Sequence, residues 1–179
     1  MQTYAHFAVL CQCTVVYMKD LHYPNQPITF TLHGKQTRSM DLIILAAQLH
    51  QMDFTKRLTV LDLSRNLITP SGVSTLMEEI VIQIPSLTEL NLDENPLLSD
   101  HGVKAINPYL DKSNIQILRL AHCGLVDRTA RYFRESKIPK KLRRLDLSGN
   151  LLTDDGAAHL VRTLKHAKTS KSKVGAEIS

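Results

Sequence analysis

Four stretches of the chain carry the same change of apolar rhythm at nearly constant spacing. Leu58 to Ile80 is LTVLDLSRNLITPSGVSTLMEEI and Leu87 to Leu110 is LTELNLDENPLLSDHGVKAINPYL. Ile115 to Phe133 is IQILRLAHCGLVDRTARYF and Leu142 to Leu164 is LRRLDLSGNLLTDDGAAHLVRTL. The starts lie 29, 28 and 27 residues apart. Each copy opens with alternation, as at Leu145 and Leu147, which share one strand face while Arg144, Asp146 and Ser148 share the other. Each closes with helical spacing, as at Ala157, Leu160 and Leu164. One strand and one helix cannot enclose these side chains. Stacked copies can, because neighbours then share a core between a parallel sheet and a helix layer. A buried leucine contributes roughly 1.5–3 kcal/mol, so stability depends on having several neighbours.

A fifth, more diverged copy comes first. Phe30 and Leu32 align with Leu61 and Leu63, and Leu42, Leu45 and Leu49 align with Val73, Leu76 and Ile80. Lys35 and Asp41 then take the asparagine and glycine places. In the other copies Asn66, Asn95 and Asn150 follow the strands, where a sharp turn leaves backbone groups unpaired. One amide both donates and accepts, so it can bridge adjacent turns. Cys123 stands in that place once and bridges only weakly. Gly72, Gly102 and Gly156 are expected to relax the turn into each helix, with Ser71, Asp100 and Asp154 as N-caps. Pro85 and Pro139, just ahead of strands, stop the preceding helices.

The pattern L-x-x-L-x-L-x-x-N/C-x-L followed by a helical half resembles the leucine-rich repeat. Its 27–29-residue spacing resembles the ribonuclease-inhibitor-like, mostly cytosolic subtype. The resemblance implies an α/β solenoid of about five repeats, a curved arc with a parallel β-sheet on the concave face and helices on the convex one. It also implies a non-catalytic protein-interaction module. Arcs of similar subtype occur in cytosolic scaffolds, in actin-capping tropomodulins and in bacterial effectors that act in host cells. Those alternatives stay open here. The Ran GTPase-activating protein resembles the same subtype, and no residue is carried over from it.

The domain reading is a capping segment over 1–26, the repeats over 27–164 and a basic, mobile tail over 165–179. Phe7, Leu10, Cys11, Tyr17, Met18 and Leu21 approximate a helical stripe, although the β-branched run TVVY also permits a hairpin. No C-terminal cap is evident, as in a piece cut from something longer. Phe7 to Met18 lacks the basic start and cleavage site of a secretory signal, and no apolar run reaches the roughly 18 residues of a membrane span. Three cysteines, two of them as C-x-C, argue against a disulfide framework and for a reducing, cytoplasmic setting, or host cytosol for an effector.

No glycine-rich phosphate loop, zinc-protease helix, nucleophile elbow or metal-spaced Cys/His set occurs. The expectation is therefore no catalytic residue, no metal and no cofactor, with a monomer binding another protein. The exposed strand face supplies the candidate contacts. Its columns are Thr29, Val60, Glu89, Ile117, Arg144, then Thr31, Asp62, Asn91, Arg119, Asp146, then His33, Ser64, Asp93, Ala121, Ser148. Arg65, Glu94 and His122 lie beside them. Central positions tend to carry binding energy, which favours Glu89, Asn91, Asp93, Arg119 and His122.

Charge adds a second candidate. Residues 111–179 hold 15 Lys/Arg against 7 Asp/Glu, while residues 1–110 hold 7 against 10. Arg128, Arg131 and Arg134 recur every third residue as an outward ridge, continued by Lys137, Lys140, Lys141, Arg143 and Arg144. That ridge is the alternative site, for an anionic membrane contacted peripherally or for nucleic acid. Aromatics are only 5% of the chain, which weighs against base stacking and so against nucleic acid.

Overall fold

A computed structural model describes residues 7–8, 15–19, 26–34, 36–49, 56–136 and 139–168. Two short strands, β1 (Phe7–Ala8) and β2 (Val15–Lys19), precede the repeats. The repeats then supply β3 (Ile28–Thr31), α1 (Ser39–Leu49), β4 (Leu58–Asp62), α2 (Pro70–Leu76), β5 (Glu89–Asn91) and α3 (Ser99–Leu110). They end with β6 (Ile117–Arg119), α4 (Arg128–Ser136), β7 (Arg144–Asp146) and α5 (Asp154–Lys168). Helix α2 continues through a wider π-helical turn, Met77–Val81.

The seven strands form one open sheet in sequence order, and β3 to β7 are parallel. Phe30, Leu61, Leu90, Leu118 and Leu145 pair in register, each no more than 2% exposed. The helices cover that face with Leu42, Leu45, Val73, Leu76, Val103, Ile106, Phe133 and Leu160, all buried in the same core. This is the α/β leucine-rich-repeat solenoid anticipated above.

The asparagine ladder is present. Asn66 accepts from Thr37 N and donates to Leu32 O and Leu63 O, each at 2.9 Å. Asn95 accepts from Ile68 N at 3.1 Å and donates to Leu63 O at 3.0 Å and Leu92 O at 2.9 Å. Asn150 accepts from Cys123 N and Leu125 N and donates to Leu120 O and Leu147 O. In the odd copy the Cys123 thiol donates to Leu92 O at 3.1 Å, and burial pushes its pKa up to about 12. It therefore stays a neutral thiol.

Three local expectations change. The described part of the N-terminal segment is an antiparallel hairpin, with β2 also antiparallel to β3, and not a helix. The free edge of β3 offers backbone partners that a helix could not use, and the β-branched run suits a strand. The helix caps are Thr69 and Thr153, whose hydroxyls accept from Gly72 N and Gly156 N at 3.4 Å, not Ser71 and Asp154. Each helix begins earlier than the capping reading assumed, with Pro70 at the first position of α2. Asp100 caps nothing in its own helix. It accepts from Val126 N at 2.9 Å and Thr129 Oγ1 at 2.5 Å in the next repeat.

The helix-start glycines answer to packing and not to turn geometry, since none of the three has a positive φ. A Cβ on Gly72 would strike the Ser39 hydroxyl and come within 2.8 Å of Ser39 Cβ. One on Gly156 would strike the Asp127 carboxylate. Helices α2 and α5 thus rest on the start of the one before, whereas a Cβ on Gly102 would strike Leu98 of its own repeat. Helix α1 follows no earlier helix of this series, and its Asp41 instead accepts from Arg38 N at 2.7 Å. Gly72→Ala is expected to lower stability by roughly 1–3 kcal/mol through overpacking, although helix propensity alone favours alanine. Urea unfolding of the variant reads the sign directly.

Candidate interaction surface

The register assembles the predicted columns on the sheet. Thr29, Val60, Glu89, Ile117 and Arg144 are paired neighbours, as are Thr31, Asp62, Asn91, Arg119 and Asp146. The ladder continues past the strands through Arg65 N to Asp93 O, Glu94 N to Ala121 O and His122 N to Ser148 O. The third column is partly closed, because Ser64 and Ala121 are buried. Asp146 is buried as well and is not the open surface residue that alternation suggests. Its Oδ1 accepts from Ser148 N and Oγ at 3.0 and 2.7 Å. Asp62 holds Ser64 N and Oγ in the same way, at 3.0 and 2.6 Å. Asn91 accepts from Asp93 N at 3.0 Å.

Two ion pairs cross the face. Arg119 Nε donates to Glu89 Oε1 at 2.8 Å across the β5–β6 seam. Arg65 Nε donates to Glu94 Oε1, also at 2.8 Å and more exposed. With these pairs made, Asp62 and Asp93 have no cationic side chain in contact among the described residues. Arg144 lies beside Asp146, and its buried Nε has no partner there. From β4 to β7 and the turns after them, the face carries five carboxylates (Asp62, Glu89, Asp93, Glu94, Asp146) against three arginines (Arg65, Arg119, Arg144). It is therefore acidic in a chain of net charge +5.

Burial raises the Asp93 pKa, and the carboxylates of Asp146 and Asp62 raise it further, against the lowering effects of Ala121 N and Arg119. Burial also raises Asp146, but the Ser148 donors, Arg119 and Arg144 outweigh it and hold that carboxyl below its ordinary value. A carboxyl raised on folding opposes stability above its folded pKa; the opposition fades as pH falls through that pKa and is gone below the ordinary value. Asp93 Oδ1 accepts from Ala121 N at 2.7 Å, which an amide oxygen can also do. Asp93→Asn is thus expected to raise Tm at neutral pH, with the gap closing in acid. Thermal melts across that range check it.

Sequence reading missed one feature. Arg65, Glu94 and His122 have φ of 56°, 55° and 53°, in the left-handed region. At the same place the outer repeats have Gly34 and Gly149, with φ of 66° and 64°. The sequence signal was available, since glycine occupies that place at both ends of the series and long polar side chains in the middle.

The basic residues do not form one ridge. Arg128, Arg131 and Arg134 are exposed on α4. Lys140, Lys141 and Arg143 lie in the turn before β7, where Lys141 Nζ donates to Asn114 Oδ1 at 2.7 Å and Ser113 O at 3.3 Å. Arg144 belongs to the sheet face, and Lys137 lies outside the described residues, as does the tail beyond 168. Among the described residues no group of His, Cys, Asp or Glu could hold a metal ion, and no helix is long and apolar enough to cross a membrane.

Comparison with known proteins agrees with the geometry. A family model described as "Leucine Rich repeat" matches residues 57–77, 83–106 and 139–161. The chain is 39% identical over 84 residues to "NACHT, LRR and PYD domains-containing protein 14" of Mus musculus. That match covers 45% of this chain and 8% of the mouse protein.

Proposed function

We infer that this chain, a leucine-rich-repeat protein, is a non-catalytic binding module whose concave sheet takes a basic segment of another protein. Leucine-rich-repeat domains generally mediate protein–protein interaction, and that coarser role follows from the family. The finer reading rests on the left-handed column. A non-glycine residue there costs about 1–2 kcal/mol, and glycine avoids it in the two outer repeats. The three central repeats instead keep Arg65, Glu94 and His122, whose side chains border the face. Strain kept where it is avoidable is a mark of use.

The electrostatics give the partner its sign. Asp62 and Asp93 make no ion pair among the described residues, and Arg119, which bridges Glu89, acts on Asp93 only at a distance. A lysine or arginine from the partner in contact with them would relieve the raised pKa of Asp93. Proposed contacts are Asp62, Arg65, Glu89, Asn91, Asp93, Glu94, Arg119, His122 and Arg144, with the buried Asp146 left out of the contact set. The setting we propose is cytosolic, and a scaffold, a tropomodulin-like cap and a host-directed effector all fit such a module.

The test keeps the ion pair and inverts its pattern. A Glu89→Arg, Arg119→Glu double variant has unchanged net charge and can re-form its bridge. Affinity capture from lysate should recover a partner with wild-type protein and lose it with the swapped variant. Equal recovery by both would remove the concave face from the account. His122→Gly is expected to preserve or raise stability, by up to about 1 kcal/mol, while weakening the captured complex. Denaturation and capture on the same preparation measure both.

A further inference from the structure

On the opposite, helical side, one seam differs from the rest. When the helices are aligned, the position facing the next helix is Ala46, Met77, Asn107 and Arg134 in α1 to α4. Its counterpart on the following helix is Thr75, Ala105, Tyr132 and His159 in α2 to α5. At the first three seams these residues are buried or half-buried; Asn107, for instance, is 6% exposed. At the α4–α5 seam both Arg134 and His159 are exposed. A groove of about 530 Å³ opens there, floored by Ala130 and Gly156.

Arg128, Arg131 and Arg134 line one wall of that groove, and none has an acidic partner among the described residues. Asp127 and Asp155 border it, and Asp127 is engaged by Thr153 N at 2.8 Å and Thr153 Oγ1 at 2.7 Å. Those donors hold the Asp127 carboxyl below its ordinary value. Three guanidinium groups thus face one unengaged carboxylate, Asp155, and the trough keeps an excess of positive charge.

We propose that this groove is a second binding site, for an acidic helical segment of a partner protein. Arginines every third residue on a helix rise about 4.5 Å apart. Carboxylates at i, i+3 or i+4, and i+7 of a facing helix repeat on a comparable scale, about 5–6 Å. An inter-helix trough also accepts a ridge of side chains from a further helix. Three spaced arginines between two bordering aspartates match a few spaced carboxylates better than an unbroken polyanion, and a trough between helices is poorly placed against a flat bilayer. Nucleic acid and membrane are therefore disfavoured.

The probe is a short labelled helical peptide with Glu at i, i+3 and i+7, and a Gln-substituted control. Fluorescence anisotropy should show the Glu peptide binding and the Gln peptide not, with affinity falling as salt rises. Arg128→Glu, Arg131→Glu and Arg134→Glu together should weaken it at least about tenfold, as for charge reversal at a steered interface. The Arg134→Asn, His159→Tyr variant grafts the closed α3–α4 seam here and should also lose binding while two arginines remain. Circular dichroism and Tm establish that both variants are folded. The concave Glu89→Arg, Arg119→Glu variant should bind the peptide like wild type, so the two sites fail independently. The proposal is overturned by equal binding of both peptides, by binding that survives the triple reversal or the seam graft, or by tighter binding of a single-stranded oligonucleotide or phosphatidylserine vesicles.

Discussion

Asn95→Ala is expected to cost about 2–4 kcal/mol, the sum of an orphaned buried donor and a small cavity. Asn95 is fully buried, and its amide oxygen is the acceptor for Ile68 N in the preceding turn. Alanine leaves that N–H without its partner. The three carbonyls Asn95 serves are better protected, since Leu63 O also accepts from Asn66, Leu92 O from the Cys123 thiol and Asp93 O from Arg65 N. The shared carbonyl makes a sharper expectation. In Asn66→Ala, Asn95→Ala together, Leu63 O loses both amides, so the double variant should lose more than the two single losses added. A double-mutant cycle by urea unfolding measures the excess. Asn150→Ala should cost less, because its amide is only half-buried at the end of the series.

Much of this scaffold was legible because its forces are periodic. The alternation at Leu61 and Leu63 and the stripe at Val73, Leu76 and Ile80 record which way side chains point, and stacking forces every copy to agree. Register followed from phase, so the concave columns could be written down from the sequence. What was not legible depends on contacts with no period. Gly72 looks like a turn residue until Ser39, 33 residues earlier, is seen against it. Asp100 has the composition of an N-cap, yet its partners are Val126 and Thr129 in the next repeat. Tyr17 and Met18 fit a helical stripe by spacing, whereas β2, which holds them, is drawn to an open strand edge that local sequence does not reveal. For the surface, polarity said which face was free but not that Asp146 and Ser64 would be buried on it, held by short hydrogen bonds. The α4–α5 groove needed the helices aligned before Arg134 could be seen standing where the other seams have Ala46, Met77 and Asn107.

The second large effect concerns how a break spreads along the stack. Leu118 is fully buried in β6 and sits in register between Leu90 and Leu145. Leu118→Ala should cost roughly 2–5 kcal/mol, because neighbouring strands are pinned by their own ladders and cannot collapse into the space. Leu145→Ala removes the same group from β7, the last strand of the sheet, which has one strand neighbour instead of two. Its cost should lie at the lower end of that range. The difference is more than size. In a linear array each repeat is held by its neighbours, so a weakened centre divides the chain into a β3–β5 part and a β6–β7 part, whereas a weakened end only frays. Leu118→Ala is therefore expected to broaden the unfolding transition and lower its m-value, while Leu145→Ala shifts the midpoint with m nearly unchanged. Hydrogen exchange should place the new opening at the β5–β6 seam, which the Glu89–Arg119 bridge spans. A uniform loss of protection in Leu118→Ala, with m unaltered, would mean that the stack unfolds as one body and that its centre has no special place. If the seam opens first, the same experiment shows why a partner seated across Glu89 and Arg119 would stabilise the whole arc: it would join the two halves at their weakest junction.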